Sequence, residues 1–286
     1  MNRYTVPIPN IRDAQEAMVI MLREFDEQNF YNPYTPQLVT TNELPQILNL
    51  EDYITPNTTV CTVCGSGEQP FFAKLFGAKY VLTFDISYNA YLLMALKIAA
   101  MQYFKQHAQY EYFISDLGDH CGPGELLKTP NIDKVLKGLY GTQRNHLIRM
   151  ESLRLPTLLG DASCQYYTIP QNDYEKLRTL IRLPFPFIWT DIKELDTKLG
   201  DDTFDIMYYS NVLCFVQNHL VKPVLESTKK HLNPDGKLFL VSDSKYLARM
   251  MIAVDNVFRR PEWDKGLFQS EDGFFQIIVQ RMQRAK

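Results

Sequence analysis

The stretch Val60-Cys61-Thr62-Val63-Cys64-Gly65-Ser66-Gly67-Glu68-Gln69-Pro70, followed by the apolar run Phe71 to Phe76, carries the strongest local signal in the chain. Val60 to Cys64 is a run of β-branched and thiol side chains that reads as a buried strand. Gly65 and Gly67 then make a Gly-x-Gly turn. With no Cβ at either position, a ligand can approach the backbone closely. Pro70 suits the first turn of the helix that follows, whose free N–H groups face the turn. Taken alone the motif is common, and its neighbours sharpen it.

Gly77-Ala78-Lys79 leads into a second strand, Tyr80 to Phe84, which ends at Asp85. A carboxylate about twenty residues beyond the first glycine, at the carboxyl end of an adjacent strand, can accept both ribose hydroxyls of a nucleoside. A third strand, Phe187 to Thr190, ends in Asp191-Ile192, where an acidic side chain can meet the exocyclic amine of adenine. Both aspartates also read as helix caps, because Asp routinely follows strands and precedes helices. Pro70 stands where the third glycine of a dinucleotide fingerprint would fall, and no G-x-x-x-x-G-K-[ST] phosphate loop occurs. One Gly-x-Gly turn with one ribose acid suits S-adenosylmethionine, which has no pyrophosphate to cradle.

Outward from this centre, short apolar runs alternate with helical segments, which predicts an α/β fold with a parallel sheet. The strand candidates are Val60–Cys64, Tyr80–Phe84, Phe187–Thr190, Phe204–Tyr209 and Lys237–Val241. Two late runs, Met251–Phe258 and Phe274–Met282, are expected to close the sheet as an antiparallel pair. Tyr88, Tyr91, Leu92, Ala95, Ala99 and Tyr103 recur at helical spacing. That helix, Tyr88 to about Phe104, is apolar on most sides in its first half and is expected to be buried between layers. Residues of about 105–186 are too many for a crossover or a bare loop, so they are expected to form a helical insertion covering the site. Residues 1–56 form an N-terminal helical cap, with helices over Ile11–Phe25 and near Glu43–Leu50, and residues 57–286 form the cofactor-binding domain.

The 286 residues are 45% apolar and 22% charged, enough for a sizeable core and far from a disordered or low-complexity composition. The 30 basic and 33 acidic residues leave a net charge of −3, so bulk charge favours no polyanion and no nucleic-acid partner is expected. The N-terminus lacks a basic-then-apolar signal pattern, and the longest weakly polar stretch, Ile86 to Leu96, is too short to span a bilayer. No transmembrane segment and a cytoplasmic location are therefore expected. Cys61 and Cys64 form a C-x-x-C, but residues three apart on a strand point to opposite faces, so no metal site is expected there. The composition also includes 17 Tyr beside 17 Phe, and the tyrosines gather in the N-terminal segment, after Asp85 and in the insertion.

Two further runs extend the pattern. Phe204-Asp205-Ile206-Met207-Tyr208-Tyr209-Ser210-Asn211 resembles the fourth strand of the class I S-adenosylmethionine-dependent transferases. His231-Leu232-Asn233-Pro234-Asp235-Gly236-Lys237-Leu238 resembles their following helix end, turn and fifth strand. With the glycine turn and Asp85, the resemblance covers residues of about 57–282. It implies a Rossmann-like methyltransferase sheet, mostly parallel with an antiparallel closing strand, and S-adenosylmethionine as cofactor. It implies cofactor contacts from Cys64, Gly65, Ser66, Gly67, Glu68, Gln69, Asp85, Ile86, Asp191, Ile192, Ser210 and Asn211.

A narrower resemblance rests on Phe84-Asp85-Ile86-Ser87-Tyr88-Asn89-Ala90-Tyr91-Leu92-Leu93-Met94-Ala95-Leu96-Lys97-Ile98-Ala99-Ala100, Gly138-Leu139-Tyr140-Gly141 and Ser210-Asn211. These runs are similar to the betaine-lipid type 3-amino-3-carboxypropyl transferases, which also place a long helical segment before their third strand. This chain is shorter, and its Cys64–Gln69 turn is closer to ordinary methyltransferases. The implied reaction is transfer of a methyl or 3-amino-3-carboxypropyl group to a small-molecule or lipid-like acceptor. A rival reading is a non-catalytic nucleoside-binding or scaffold protein that retains the fold. A nicotinamide-dependent oxidoreductase is disfavoured by Pro70.

Candidate substrate-handling residues are Tyr31, Tyr34, Asn42 and Glu43 near the N-terminus, Tyr140, Arg144 and His146 in the insertion, and Ser210 and Asn211. Tyr31, Tyr140 and Asn211 are the candidates for a catalytic role. Tyr31-Asn32-Pro33-Tyr34 reads either as a lid with rings against the sulfonium or as a loop packed by its own tyrosines. His146 reads as a structural histidine or as part of the polar cluster Leu139–His146. Glu68 either meets the methionyl amine or favours the helix dipole.

Overall fold

The computed structural model describes residues 50–120, 124–153, 169–260, 262–269 and 275–282. The two N-terminal helices expected before Leu50, and with them Tyr31, Tyr34, Asn42 and Glu43, lie outside the described residues.

Among the described residues, seven strands form one sheet in the order β3-β2-β1-β4-β5-β7-β6. They are β1 Thr59–Val63, β2 Tyr80–Asp85, β3 Phe187–Trp189, β4 Phe204–Tyr208, β5 Leu232–Ser242, β6 Trp263–Gln269 and β7 Phe275–Arg281. The first five in sequence pair in parallel, and β7 runs antiparallel to both β5 and β6. This is the α/β Rossmann-like sheet with an antiparallel closing strand that the sequence implied. The strand order reverses between β1 and β4, so a crevice opens beyond their carboxyl ends, where ligands bind in open α/β sheets.

Side-chain alternation along β1 divides the core. Cys61 and Val63 pack with Leu82, Phe84, Met207 and Leu238 beneath helices α7 (Leu195–Leu199), α8 (Asn218–Thr228) and α9 (Ser244–Val257). Val60 points the other way, toward Val81, Ile206 and Phe239. Cys64 belongs to a different core from Cys61, packed with Phe71 and the helix after β2. The C-x-x-C pair is thus split between the two faces, as the strand period requires.

Helix α1 (Glu68–Leu75) follows the glycine turn, and α2 (Tyr88–Tyr103) follows β2. Every residue of α2 from Tyr88 to Met101 is buried. The described part of the insertion explains this, because its helices α3 (His107–Asp119), α4 (Ile132–Leu136), α5 (Gly141–Ser152) and α6 (Gln171–Leu180) share one hydrophobic cluster with α2. A helix coated on all sides needs no polar face.

Two expectations are corrected. Met251–Phe258 is not a strand but the second half of α9. Its buried positions Met250, Ala253, Val254 and Val257 recur at helical spacing, while Ile252 is exposed. The partner of β7 is instead β6, an edge strand with Gly266 at its centre and little apolar alternation. The Pro234-Asp235-Gly236 turn also does not precede the fifth strand. It lies within β5 as a bulge, where the register to β4 shifts and Asp235 takes a φ of 65°.

The amino ends of the central strands are tied by one carboxylate. Asp205, early in β4, accepts Thr59 N at 2.8 Å, Thr59 Oγ1 at 2.9 Å and Asn233 Nδ2 at 2.8 Å. Burial acts to raise its pKa, but the Thr59 and Asn233 bonds together outweigh it and hold the carboxyl below the usual range.

Candidate active site at the carboxyl ends of the strands

The glycine turn closes through a bond from Gly67 N to Cys64 O at 2.8 Å. Both glycines take positive φ, 51° at Gly65 and 96° at Gly67. They need their freedom for different reasons. A Cβ on Gly67 would sit 3.2 Å from the Cα of Met94, so close approach of α2 requires glycine there. A Cβ on Gly65 would meet only the tip of the Gln69 side chain, at 3.4 Å.

Asp85 ends β2 beside this turn. Its two carboxylate oxygens accept Gly65 N and Ser87 N, each at 2.9 Å. The carboxylate keeps acceptor capacity beyond its backbone bonds, since an ionised carboxylate offers about four lone-pair sites. Desolvation pushes the Asp85 carboxyl up to about 6, against the lowering effect of the bonds from Ser87, Gly65 and Ile86. A buried carboxylate held this way is stabilised by any further hydrogen-bond donor that reaches it, and ribose hydroxyls have that chemistry. Ile86 is half-buried between fully buried neighbours, and its carbonyl accepts Trp189 Nε1 from the end of β3 at 2.8 Å.

Asp191 follows β3 and behaves as a local cap. Its Oδ1 accepts Lys193 N at 3.0 Å, and its Oδ2 meets Lys193 Nζ at 2.7 Å. Ile192 is buried in the α7–α9 core. At the end of β4, Ser210 adopts a φ of 52°, a conformation that non-glycine residues rarely take. Val241 N donates to its carbonyl at 2.8 Å, and Asn211 starts the short turn Val212–Phe215. Arg249 from α9 holds that turn, donating to Leu213 O at 3.0 Å and Cys214 O at 2.6 Å. The glycine turn, Asp85, Asp191 and Ser210-Asn211 therefore stand on the carboxyl ends of β1, β2, β3 and β4.

The insertion candidates occupy other surroundings. Tyr140 is half-exposed at the start of α5, where its N–H donates to Gln143 Oε1 at 3.3 Å. Arg144 lies on the first turn of the same helix, its N–H donating to the carbonyl of Tyr140. His146 is buried edge-on against Tyr88, with ring centroids 5.5 Å apart. Burial, then the nearby Arg149 charge, holds its pKa below the usual histidine value, so it sits there as a neutral ring. A groove of about 640 Å³ opens at the far end of α2, lined by Tyr103, Lys105, Gln109, Tyr112 and Asn131, away from the strand ends.

Sequence reading missed one participant. Lys97, deep in α2, donates to Ser66 O at 2.8 Å and forms an ion pair with Glu68, whose other oxygen accepts Ser66 Oγ at 2.5 Å. Glu68 thus bonds inward, to Lys97 and Ser66. The available signal was a single lysine inside the apolar run Leu93-Met94-Ala95-Leu96-Lys97-Ile98-Ala99-Ala100.

No protein-family model and no curated protein matches the sequence. Solved structures do. The ribosomal protein L11 methylase of Lactobacillus delbrueckii subsp. bulgaricus is 13% identical with a TM-score of 0.43, over 83% of this chain and 78% of that one. An rRNA methylase from Streptococcus thermophilus is 11% identical with a TM-score of 0.45, over 85% of this chain and all of that one. SMU.1697c from Streptococcus mutans, solved with SAH, is 11% identical with a TM-score of 0.44 over the same shares. An rRNA methylase among these matches removes the expectation that nucleic acid is not a partner. A net charge of −3 describes the whole surface and does not decide what one site accepts. The narrower resemblance to aminocarboxypropyl transferases gains no support from these structures.

Proposed function

We propose that this protein binds S-adenosylmethionine across the carboxyl ends of β1, β2 and β4 and catalyses methyl transfer. The observation that carries the reading is Asp85. A buried carboxylate, bonded to the glycine turn and to the start of α2, keeps acceptor capacity at the strand end where a ribose is held in this fold. Methylase descriptions and the SAH complex among the matched structures agree with that cofactor.

The bound cofactor supplies a methyl carbon made electrophilic by its sulfonium. The chain's part is to bind and orient. Asp85 accepts the ribose hydroxyls, and Ile86 offers an apolar surface beside the adenine. The Gly65–Gly67 turn lets the methionyl half lie against the backbone, and Ser210 and Asn211 border the reacting end. Asp191, whose oxygens each take one bond from Lys193, can accept the adenine amine alongside them. In-line displacement on a sulfonium needs positioning above all, and a base only when the acceptor must lose a proton.

Calorimetric titration with S-adenosylmethionine tests the reading, and a folded sample that shows no binding at millimolar ligand overturns it. Product analysis then separates the chemistries. Incubation with acceptor pools that include RNA and ribosomal protein as well as small molecules is expected to release S-adenosylhomocysteine, whereas methylthioadenosine would mean aminocarboxypropyl transfer.

A further inference from the structure

The underside of the glycine turn is gripped by a charge from another helix. Lys97 of α2 is wholly inaccessible to solvent, and Glu68 is nearly so. Its ammonium bonds the carbonyl of Ser66 and the carboxylate of Glu68, and that carboxylate also takes the Ser66 hydroxyl. The peptide between Ser66 and Gly67 is therefore fixed from both sides. Its carbonyl is held by Lys97, and its N–H by the carbonyl of Cys64. Burying this pair carries a desolvation penalty that apolar residues of similar volume would avoid. Packing alone does not explain a lysine here, since its neighbours along α2 from Leu92 to Met101 are apolar and a methionine would fill the space. What the charge adds is a fixed geometry for a turn whose two glycines leave the backbone otherwise permissive.

We propose that Lys97 is a positioning residue. Together with Glu68 it holds the Ser66–Gly67 peptide of the turn in the shape that receives the methionyl half of S-adenosylmethionine, while Asp85, bonded to Gly65 N at the other end of the turn, holds the adenosine half. The inference rests on the cofactor reading above. It also gives Glu68 an internal role in place of a contact with the methionyl amine. Burial holds the Lys97 pKa below the usual lysine value, against the raising effect of its Glu68 partner.

The test uses the full-length protein and two ligands. Lys97→Met alone strands the Glu68 charge and so reports on folding. The double variant Lys97→Met/Glu68→Gln removes both charges at near-constant volume. Thermal melting checks its fold, and calorimetry measures S-adenosylmethionine and adenosine separately. The expected result is S-adenosylmethionine binding at least about tenfold weaker, with adenosine within about twofold of wild type. Unchanged affinity for both ligands overturns the proposal. So does an equal loss for both, which is the mark of a general structural role. If the double variant does not fold, Glu68→Gln alone carries the test: a selective loss of at least about threefold supports the proposal and no loss overturns it. A wild-type protein that binds no S-adenosylmethionine overturns the cofactor reading and this inference with it, whereas a wild type that binds beside a variant that binds equally well overturns this inference alone.

Discussion

Asp205 and Asp85 sit at opposite ends of the same sheet and are held in opposite ways. Asp205, at the amino ends of the strands, takes three protein hydrogen bonds and has its pKa lowered. Asp85, at the carboxyl ends, takes backbone bonds from Gly65, Ser87 and Ile86, yet is so deeply buried that it is raised to about 6. One carboxylate has been satisfied by the fold. The other is kept at an electrostatic cost of about 3 kcal/mol at neutral pH that folding alone does not repay. Residues that cost stability and keep acceptor capacity are where a ligand's chemistry is to be sought.

The largest effect expected from this difference is on binding. Asp85→Ala should weaken S-adenosylmethionine about 100-fold, near 2.7 kcal/mol, through loss of charged hydrogen bonds to the ribose. Its melting temperature should change little, because the orphaned Gly65 and Ser87 N–H groups are offset by release of a buried charge. Normal binding by this variant, measured by calorimetry, would remove Asp85 from the site. Asp205→Ala should do the reverse. Leaving Thr59 N and Asn233 unpartnered should lower unfolding stability by about 2 kcal/mol, with cofactor affinity within about twofold of wild type. A denaturant melt and a titration on the same sample decide it, and weakened binding without lost stability would reverse the assignment of the two ends.

The two ends also differ in how much of them the sequence exposed. The glycine turn, Asp85 and the β4 end are local: strand, turn and acid follow one another within a few residues, so pattern and spacing reveal them. The Lys97–Glu68 pair joins residues 29 positions apart, and nothing in either neighbourhood specifies the other. Asp205 and Asn233 are similarly hidden, since their bond depends on the bulge at Pro234–Gly236 that sets the β4–β5 register. The misread strand at Met251–Phe258 has a different cause. Its apolar residues are dense enough to suit either period, while the true edge strand β6 carries Asp264, Lys265 and Gly266 and shows no strand pattern. Edge strands are commonly charged to block further pairing, so the sequence signal for them is weakest where that protection is strongest.

Titration sharpens the comparison further, with opposite slopes. Asp85 has a folded pKa above its unfolded value. Its contribution to stability is therefore fully present below about pH 4 and is lost as pH rises through about 6. Asp205 has a depressed pKa, so its contribution is present above the unfolded carboxylate pKa and is lost as pH falls through the folded one. Binding should follow Asp85 alone. As the carboxylate protonates, S-adenosylmethionine affinity should fall about tenfold between pH 7 and pH 5, and Asp85→Asn should flatten that profile. A wild-type affinity constant across this interval would separate the cofactor from Asp85.

The smallest expected effect distinguishes the middle of β1 from its carboxyl end. Cys61 lies within the strand and Cys64 at its carboxyl end, and burial raises the pKa of both thiols, so native labelling of either should be slow. Cys64 lies under the turn, its sulfur 3.8 Å from that of Met94, and a local opening of Gly65–Gly67 would expose it without unfolding the sheet. Exposing Cys61 requires β1 to separate from β2 and β4, an opening close to global unfolding. Maleimide labelling mapped by mass spectrometry should therefore find Cys64 modified several-fold faster than Cys61. Saturating S-adenosylmethionine should slow Cys64 selectively, because a ligand resting on the turn opposes its opening. Equal rates at the two thiols, or a ligand that protects both alike, would mean that the turn opens only with the sheet and that the carboxyl end is no looser than the middle of the strand.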